Sequence, residues 1–370
     1  YMPVTHGVAG SSPVRTADKI LKVNDFGDFL FSPNAMAIKL QTPVERPVRC
    51  PCMNHSHRLM LLGSCFATHI GARLAEAGFR CDVNPYGVLY NPLSIDAALR
   101  EMIAGKVYTL ADLHLHQGLW HSPMHHGDFS SPSPEEALQR INARLRRAAD
   151  ELDGLDYLLL TWGTAWVYED RRTGRVVGNC HKQPEKDFLR RRLSVDEIVL
   201  DVVSLLSGFL VRNGRLKVVL TVSPIRHVRD GLHANQLSKA TLLLAAEQVE
   251  AAFPDRVFYF PAYELVLDEL RDYRFYADDL VHPSELAVRY VWERFTQWCL
   301  DPEAVRLMAD YEDIRKALAH RPLHPESGEY KRFLEQTLLK MERLDEKYPY
   351  FDLQNERDIC LTLLNRLQNS

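Results

Sequence analysis

A cysteine and a histidine lie in sequence contexts that suit nucleophilic catalysis. Cys65 follows a short apolar run and Gly63, and an amphipathic helical pattern begins directly after it. A side chain at such a strand-to-helix turn lies beside the N–H groups of a helix N-terminus, which lower a thiol pKa and stabilise an oxyanion. The sequence therefore predicts Cys65 as a nucleophile. The alternatives are that Ser64 is the nucleophile, or that neither is and Cys65 is a small buried hydrophobic side chain.

A base for this nucleophile is predicted far downstream. Asp279 lies three residues before His282, close enough for its carboxylate to accept the Nδ1 proton of the imidazole and fix the tautomer. We therefore expect Asp279 to orient His282, and His282 to act as the base for Cys65. The alternative for His282 is an ordinary surface histidine at a helix start.

The intervening chain alternates between apolar strands and amphipathic helices of ten or more residues. The predicted strands cover residues 58–62, 79–83, 157–161, 216–222 and 257–260. Strands joined through helices predict a doubly wound, flavodoxin-like α/β fold with five parallel strands, whose ligands bind beyond the carboxyl ends of the strands. Cys65, Gly163 and Ser223 fall just past such ends. Ser94 and Ser133 are predicted helix N-caps.

The chain divides into three regions of different character. Residues 1–57 contain many glycines and prolines, with one short helix predicted at 35–40, and are interpreted as an arm that wraps the domain. Residues 58–300 contain the alternating pattern and form the predicted catalytic domain. Residues 301–370 form a predicted helical extension of three charged amphipathic helices, which either cover the active site, bind a partner chain or form a homodimer.

Two segments interrupt the α/β pattern. Residues 107–131 carry Trp120, Phe129 and a set of histidines without a clear period, which predicts an inserted loop at the site. The histidines are His114, His116, His121, His125 and His126. No helical His-Glu-x-x-His set accompanies them, so no metal or other cofactor is predicted. Residues 166–178 have two short apolar stretches around a turn-rich centre, which predicts a projecting β-hairpin.

Composition limits the classes of function. The 370 residues are 46% hydrophobic and carry a net charge of -4 from 45 basic and 49 acidic side chains, which argues against nucleic acid as the main partner. No apolar run approaches the ~18 residues that cross a bilayer, so no membrane partner is expected. Seven scattered cysteines do not suggest a disulfide framework, and nothing marks the chain for export, so a cytoplasmic location is expected.

Several short blocks occur in the order expected for one protein family. The first is Gly-Ser-Cys-Phe-Ala at residues 63–67. The others are residues 84–87, 161–166, 179–182, 223–227, 235–239 and 279–284. Together the blocks resemble the GSCFA family of the SGNH (GDSL-type) hydrolase superfamily. The resemblance covers most of the chain and implies an SGNH-type α/β fold.

The resemblance assigns the catalytic roles to matching positions. In the superfamily's Gly-Asp-Ser block the nucleophile is the third residue, and Cys65 holds that place here. Asp279 and His282 match the superfamily's Asp-x-x-His block. This matching supports a Cys-His-Asp triad.

The oxyanion hole departs from the superfamily pattern. Ala165 stands where the Gly-x-Asn-Asp block has its asparagine donor, and loss of such a donor costs about 3 kcal/mol in comparable sites. Thr164 and Asn179 are the expected replacements. The backbone N–H groups of Cys65 and Gly87 are expected to supply the other donors.

Two further histidines belong to the matching blocks. His181 and His227 are expected to line the pocket, and the alternative is that they cap loop carbonyls, since buried polar groups need partners in any fold.

These expectations converge on acyl transfer through a Cys65 thioester, on a small-molecule or carrier-bound acyl substrate. Water as the acceptor would make the chain an esterase or thioesterase, and an amine or alcohol would make it an acyltransferase. The reactivity of thioesters toward amines favours transfer. The alternative is a non-catalytic binding module that has kept the SGNH fold and lost the oxyanion-hole asparagine.

Overall fold

The computed structural model describes residues 41–324 and 326–368. The helix predicted at 35–40 lies outside the described residues, as does most of the predicted arm at 1–57. The strands are β1 (Arg58–Gly63), β2 (Arg80–Val83), β3 (His114–His116), β4 (Leu119–His121), β5 (Tyr157–Trp162), β6 (Trp166–Asp170), β7 (Arg175–Val177), β8 (Phe188–Arg192), β9 (Lys217–Val222) and β10 (Val257–Tyr259). The helices are α1 (Cys65–Glu76), α2 (Pro92–Ile103), α3 (Pro134–Glu151), α4 (Val195–Arg212), α5 (Leu232–Ala252), α6 (Ala262–Glu264), α7 (Glu285–Cys299), α8 (Pro302–Ala319), α9 (Gly328–Lys347) and α10 (Gln354–Gln368).

A five-stranded sheet forms the centre of the domain, with the order β10-β9-β5-β1-β2. Every neighbouring pair in it is parallel, which confirms the predicted doubly wound α/β fold. The chain builds outward from β1 to β2 and then returns to the other side of β1 with β5, β9 and β10. The strand order therefore reverses between β1 and β5, and a ligand crevice is expected at their carboxyl ends.

Helices cover both faces of this sheet. Met60 and Leu62 of β1 pack in a core with residues of α2, α3, α4 and α5. Leu59 and Leu61 pack in the opposite core with residues of α1 and α7. Successive side chains of a strand point to opposite faces, so the apolar run in β1 is buried by both layers.

The two inserted segments have their own secondary structure. Residues 107–131 contain the antiparallel pair β3 and β4. The segment at 166–178, where a hairpin is predicted, contains the antiparallel strands β6 and β7. The strand β8 pairs with the other edge of β6 to make three strands. The strand β8 was not predicted, because its Phe-Leu-Arg-Arg-Arg sequence lacks a clean alternation of apolar and polar residues.

One predicted helix cap is wrong. Asn91, and not Ser94, is the N-cap of α2, since the Asn91 side chain accepts a hydrogen bond from the backbone N–H of Ser94 at 2.8 Å. Pro92 occupies the first helical position, where its missing N–H has no cost. Ser133 caps α3 as predicted, through a bond from the N–H of Glu136.

The C-terminal helices α8, α9 and α10 form a small core of their own, which includes Leu307, Leu334 and Met341. Phe351 joins this core to the domain, because its ring lies against Gly78 and 5.1 Å from the ring of His55. Gly78 follows the end of α1, and the twelve residues of that helix span about 18 Å. These helices therefore attach at the amino-terminal ends of the strands, and Cys65 lies at the opposite, carboxyl ends. No described helix is long and apolar enough to cross a membrane.

Candidate active site

Cys65 is the first residue of α1, and only Ser64 separates it from the end of β1. The turn needs Gly63, which has φ of 143° and lies so close to the Thr161 carbonyl of β5 that a Cβ atom would overlap it. The first N–H groups of a helix have no partner within the helix. The thiol therefore sits beside free N–H donors at the point where the strand order reverses.

Ser64 and Cys65 differ in access. The Ser64 side chain is 1% exposed, and its hydroxyl is buried without a hydrogen-bond partner in the described part of the chain. Cys65 is half-buried and lines a cleft of about 770 Å³. A substrate in this cleft meets the thiol and not the hydroxyl.

The cleft brings together most of the residues that the sequence singled out. Those that line it are Cys65, Thr164, Asn179, His181, His227 and His282. Asp279 lies just behind His282. None of the described residues after Asp301 lines the cleft, so α8, α9 and α10 do not cover it.

Asp279 makes three hydrogen bonds within the turn, two of them with His282. Its Oδ2 lies 2.6 Å from the Nδ1 of His282, and its Oδ1 accepts from the backbone N–H groups of Val281 and His282 at 2.9 Å each. These bonds lower the pKa of the Asp279 carboxyl to about 2, so it is ionised at neutral pH. An ionised carboxylate at Nδ1 directs the Nε2 lone pair outward, which is the tautomer that a general base needs.

The thiol and the imidazole share the cleft without a hydrogen bond between them. Such bonds are often long before a substrate is bound. Burial raises the pKa of the Cys65 thiol above its ordinary value, while the N–H groups of Cys65 and Phe66 and the charge of Lys239 act in the opposite direction. Deprotonation of Cys65 therefore depends on these N–H groups and on the charge of Lys239.

Gly87 is not brought to the cleft. Its N–H donates to the carbonyl of Asn84 at 2.8 Å, so this donor is already used in a turn. Its positive φ of 77° and the close approach of His126 explain why a glycine occupies the position. The Gly87 N–H is not placed to bind an oxyanion.

Thr164 and Ala165 are tied to α5 through Ser238. The Thr164 and Ser238 hydroxyls lie 3.1 Å apart, and the Ala165 N–H donates to Ser238 Oγ at 2.7 Å. The Thr164 N–H donates to Tyr90 O at 2.9 Å. These donors are therefore occupied. Thr164 lines the cleft, but it has no free hydrogen-bond donor to offer a substrate.

Asn179 keeps a free donor in the cleft. Its side-chain oxygen accepts from the His181 N–H at 2.9 Å, and its Nδ2 group has no hydrogen-bond partner among residues 41–324 and 326–368. Of the two expected replacements for the missing asparagine, Asn179 is therefore the one with an available amide N–H.

His227 presents a second unpaired group. Its Nε2 atom is buried without a partner in the described structure, and it lies 3.2 Å from where a Cβ on Gly163 would be. Burial, and then the charges of Lys239 and His282, lower the pKa of His227 to about 4. The ring is neutral at pH 7, and it can donate one hydrogen bond from Nε2.

His181 belongs to a histidine cluster beside the cleft. Its ring stacks on His121 with centroids 4.3 Å apart, and its Nε2 lies 2.8 Å from Ser122 O. Burial lowers the pKa of His181 to about 4. His114 and His116 complete the cluster. No group of three or more His, Cys, Asp or Glu side chains among the described residues is placed to hold one metal ion.

Arginines and aromatic rings form another wall of the cleft. Arg190 lies over the rings of Trp166 and Tyr168, at 5.3 and 4.9 Å. Arg226 lies 4.3 Å over the ring of Tyr276, and no ion pair involving it is found in the described part of the chain. This wall can accommodate a planar or anionic portion of a substrate.

Sequence reasoning missed Lys239, which lies beneath the cleft on α5 and is 1% exposed. A signal for it was present. Lys239 shares helical spacing with Leu242, Ala246 and Val249, all of them buried, and a lysine on such an apolar stripe predicts a buried ammonium.

Comparisons with known proteins place the chain in a family. No curated protein matches its sequence. The solved structures similar to it include Est2A, an acetyl xylan esterase from the rumen bacterium Butyrivibrio proteoclasticus, with 9% identity, a TM-score of 0.37, and coverage of 66% of this chain and 63% of that one. A carbohydrate esterase family 3 protein from Talaromyces cellulolyticus has 14% identity, a TM-score of 0.29, and coverage of 69% and 99%.

The family models give the assignment. The model of the GSCFA family matches residues 58–295, and that of the GSCFA domain protein, C-terminal domain, matches residues 311–366. The first match covers more than half of the sequence and contains Cys65, Asp279 and His282. The chain therefore belongs to the GSCFA family.

Proposed function

We propose that this GSCFA protein catalyses acyl transfer through a thioester on Cys65. The observation that carries the proposal is that a single cleft contains a thiol at a helix N-terminus and the imidazole of His282, which Asp279 holds by its Nδ1 atom. A nucleophile, a base and a group that orients the base are the parts that nucleophilic acyl transfer requires.

The first half of the reaction forms the thioester. His282 Nε2 accepts the thiol proton of Cys65, and the thiolate attacks the acyl carbon. The new C–S bond replaces the bond to the leaving group, which takes the proton back from His282. Asp279 stays ionised and stabilises the imidazolium while it exists.

The second half uses the same groups in reverse. An acceptor O–H or N–H gives its proton to His282 and attacks the thioester carbonyl. The C–S bond breaks, and the Cys65 sulfur recovers the proton. Water as the acceptor gives a free acid, whereas an amine or alcohol gives a transferred acyl group. The intrinsic reactivity of a thioester toward amines favours transfer, with a small or carrier-bound acyl donor.

Asn179 and His227 are the proposed oxyanion donors, together with the N–H groups at the start of α1. The Asn179 amide and the neutral His227 ring both border the cleft with a donor that lacks a partner in the described structure. Donors aimed at a developing oxyanion in a water-poor site contribute about 3–4 kcal/mol each. They would perform the task of the asparagine that Ala165 replaces.

The test is to trap the acyl-enzyme. Wild type, Cys65→Ala and Ser64→Ala are mixed with a p-nitrophenyl ester or an acyl thioester, and intact mass spectrometry followed by peptide mapping locates the adduct. We expect an adduct on Cys65 in wild type and Ser64→Ala, and none in Cys65→Ala. An acyl group retained by the Cys65→Ala variant would overturn the assignment of the nucleophile.

A binding module is the second candidate, and Ala165 at the asparagine position is the observation that favours it. Ligand binding without an adduct on any of the three proteins would support this candidate. If an adduct does form, adding amine or alcohol acceptors and measuring the partition between free acid and transferred product distinguishes a hydrolase from a transferase.

A further inference from the structure

Lys239 carries a buried ammonium group without a carboxylate partner. Its Nζ donates to the carbonyl oxygens of Gly163 and Ser223 at 2.6 Å each. Lysines are almost never fully buried unless they are paired with an opposite charge. No carboxylate forms an ion pair with Lys239 in residues 41–324 or 326–368, so its retention needs another explanation.

The two carbonyls place this ammonium beneath the candidate nucleophile. Gly163 follows β5 and Ser223 follows β9, which are neighbours in the sheet. A Cβ on Gly163 would lie 3.4 Å from the Cβ of Ser64, the residue before Cys65. Lys239 therefore lies at the carboxyl ends of β5 and β9, next to the point between β1 and β5 where the strand order reverses and the thiol is held.

The hydrogen bonds of Lys239 are compatible with both of its protonation states. A neutral amine has two N–H groups, and the two carbonyls accept both. An ammonium has a third N–H, which makes no hydrogen bond to the described residues; the Nζ lies 5.9 Å from the centre of the Tyr263 ring. The group can therefore gain or lose its third proton without breaking either bond to the strand-end loops.

The charge of Lys239 is coupled to that of Cys65. Burial lowers the pKa of the Lys239 ammonium to about 7, and a thiolate at Cys65 acts to raise it again. In return, the ammonium acts to lower the pKa of the thiol. Two groups that interact in this way titrate together, so loss of the thiol proton favours a charged lysine.

We infer that Lys239 is the counter-charge of the Cys65 thiolate, a positioning residue that acts beneath the cleft. This inference rests on the proposed role of Cys65 as the nucleophile. The ammonium stabilises the thiolate that His282 generates, and it opposes the burial that would otherwise keep the thiol protonated. Lys239 contacts protein carbonyls, and its charge acts on Cys65 and also on the buried His227, whose pKa it helps to lower. It takes no proton from the substrate.

The experiment measures the rate of Cys65 alkylation by iodoacetamide from pH 6 to 11, by peptide mass spectrometry, in wild type, Lys239→Met, Lys239→Gln and Lys239→Arg. Gln keeps amide N–H donors without the charge, and Arg keeps the charge. We expect the midpoint of the pH profile to rise by about one pH unit or more in the Met and Gln variants. At pH 7 their alkylation falls about tenfold for each unit of that rise.

The Arg variant is expected to keep a midpoint near that of wild type. Lys217→Met is the matched control, because Lys217 begins β9 and so lies at the opposite end of the sheet strands from Cys65. The midpoint of Cys65 alkylation in this variant should equal that of wild type. Thermal unfolding of each variant separates the effect of charge from that of packing. If Lys239 were merely structural, its replacement would lower Tm and leave the alkylation midpoint unchanged.

Two outcomes would be informative in different ways. An unchanged midpoint in folded Lys239→Met or Lys239→Gln would overturn the role of Lys239 and leave Cys65 as the nucleophile. Wild-type Cys65 that reacts no faster than the exposed Cys52 would instead count against the proposed nucleophile, and with it against the need for a counter-charge.

Discussion

Asp279 shows how much of the candidate site depends on one side chain. Its two oxygens fix both the turn before His282 and the imidazole ring itself. The turn includes Leu280 at φ of 58°, a conformation that non-glycine residues seldom adopt and that the surrounding bonds must hold in place. The same carboxylate thus sets the position, the tautomer and the charge environment of His282, the candidate base.

Asp279→Asn is expected to reduce acylation of Cys65 by about 10³-fold or more. An amide N–H at the position of Oδ2 would face Nδ1 and favour the tautomer that leaves Nε2 protonated and unable to accept the thiol proton. Stopped-flow or quenched acylation assays measure the effect. Because the pKa of Asp279 is about 2, titration of this carboxyl should not contribute to the wild-type rate profile between pH 5 and 9.

The control is Asp278→Asn, which changes an exposed carboxylate next to the turn and should leave the rate within twofold. An Asp279→Asn variant with wild-type acylation would remove His282 from the proposed mechanism and direct attention to other bases in the cleft.

At the scale of elements, the packing of α2 against α4 contains an unusual group. Asp96 on α2 is fully buried next to Asp201 on α4. Burial, and then the charge of Asp201, raise the pKa of Asp96 well above its usual range. Asp96 is thus a neutral acid beside Asp201, which itself pairs with Arg100. Neither oxygen of Asp96 has a hydrogen-bond partner among the described residues.

Asp96→Asn should stabilise the protein at alkaline pH. Because the folded-state pKa lies above the unfolded one, the stability that the neutral acid contributes is fully present below the unfolded pKa and is lost as the pH rises through the folded pKa. Asparagine is uncharged at any pH, so it avoids the cost of burying an ionised carboxylate next to Asp201. We expect a gain on the order of 1–3 kcal/mol at pH 8 and a smaller one at pH 5, measured by urea unfolding.

Asp150→Asn is the control for this comparison, since Asp150 is an exposed aspartate near the end of α3 and should show little change at either pH. A lower stability of Asp96→Asn at pH 8 would mean that an ionised Asp96 is stabilised in the fold, contrary to its burial.

At the scale of the whole molecule, the C-terminal helices and the cleft lie at opposite ends of the sheet strands. The contact of Phe351 with Gly78 and His55 attaches the helices to the domain, and Arg315 of α8 also donates to the carbonyl of Glu76. Both contacts lie at the far end of α1 from Cys65. These helices are therefore expected to support the fold or to bind a partner, and not to act as a lid.

Phe351→Ala should destabilise the protein without altering the chemistry. Phe351 is 6% exposed, and loss of a buried phenylalanine ring costs about 3–5 kcal/mol. We expect a clear fall in Tm, with the rate of Cys65 acylation by a small activated ester unchanged at 20 °C. Leu339→Ala, at a site 52% exposed on α9, should change neither. A folded Phe351→Ala protein with slow acylation would show that the helices communicate with the cleft.

Local features of the sequence were sufficient to predict the α/β fold and to nominate Cys65 and His282 as the two ends of a candidate site. Apolar runs of strand length, helical periodicity and the Ser133 cap depend on neighbours in the chain, so they can be recognised without knowledge of the rest of the molecule. The pairing of Asp279 with His282 is also local, because three residues of turn bring the two side chains together. The ordered blocks added the family, which the family models confirm.

The tertiary structure decided which groups meet. Whether Gly87, Thr164 or Asn179 has a free donor depends on bonds to distant residues such as Tyr90, and these bonds are set by how loops from different strands pack. The burial of Lys239 beneath Cys65 arises from the docking of α5 across the ends of β5 and β9. Periodicity predicts which face of α5 is buried. It does not predict which charged groups that face meets, because the spacing of residues along one helix carries no information about the elements packed against it.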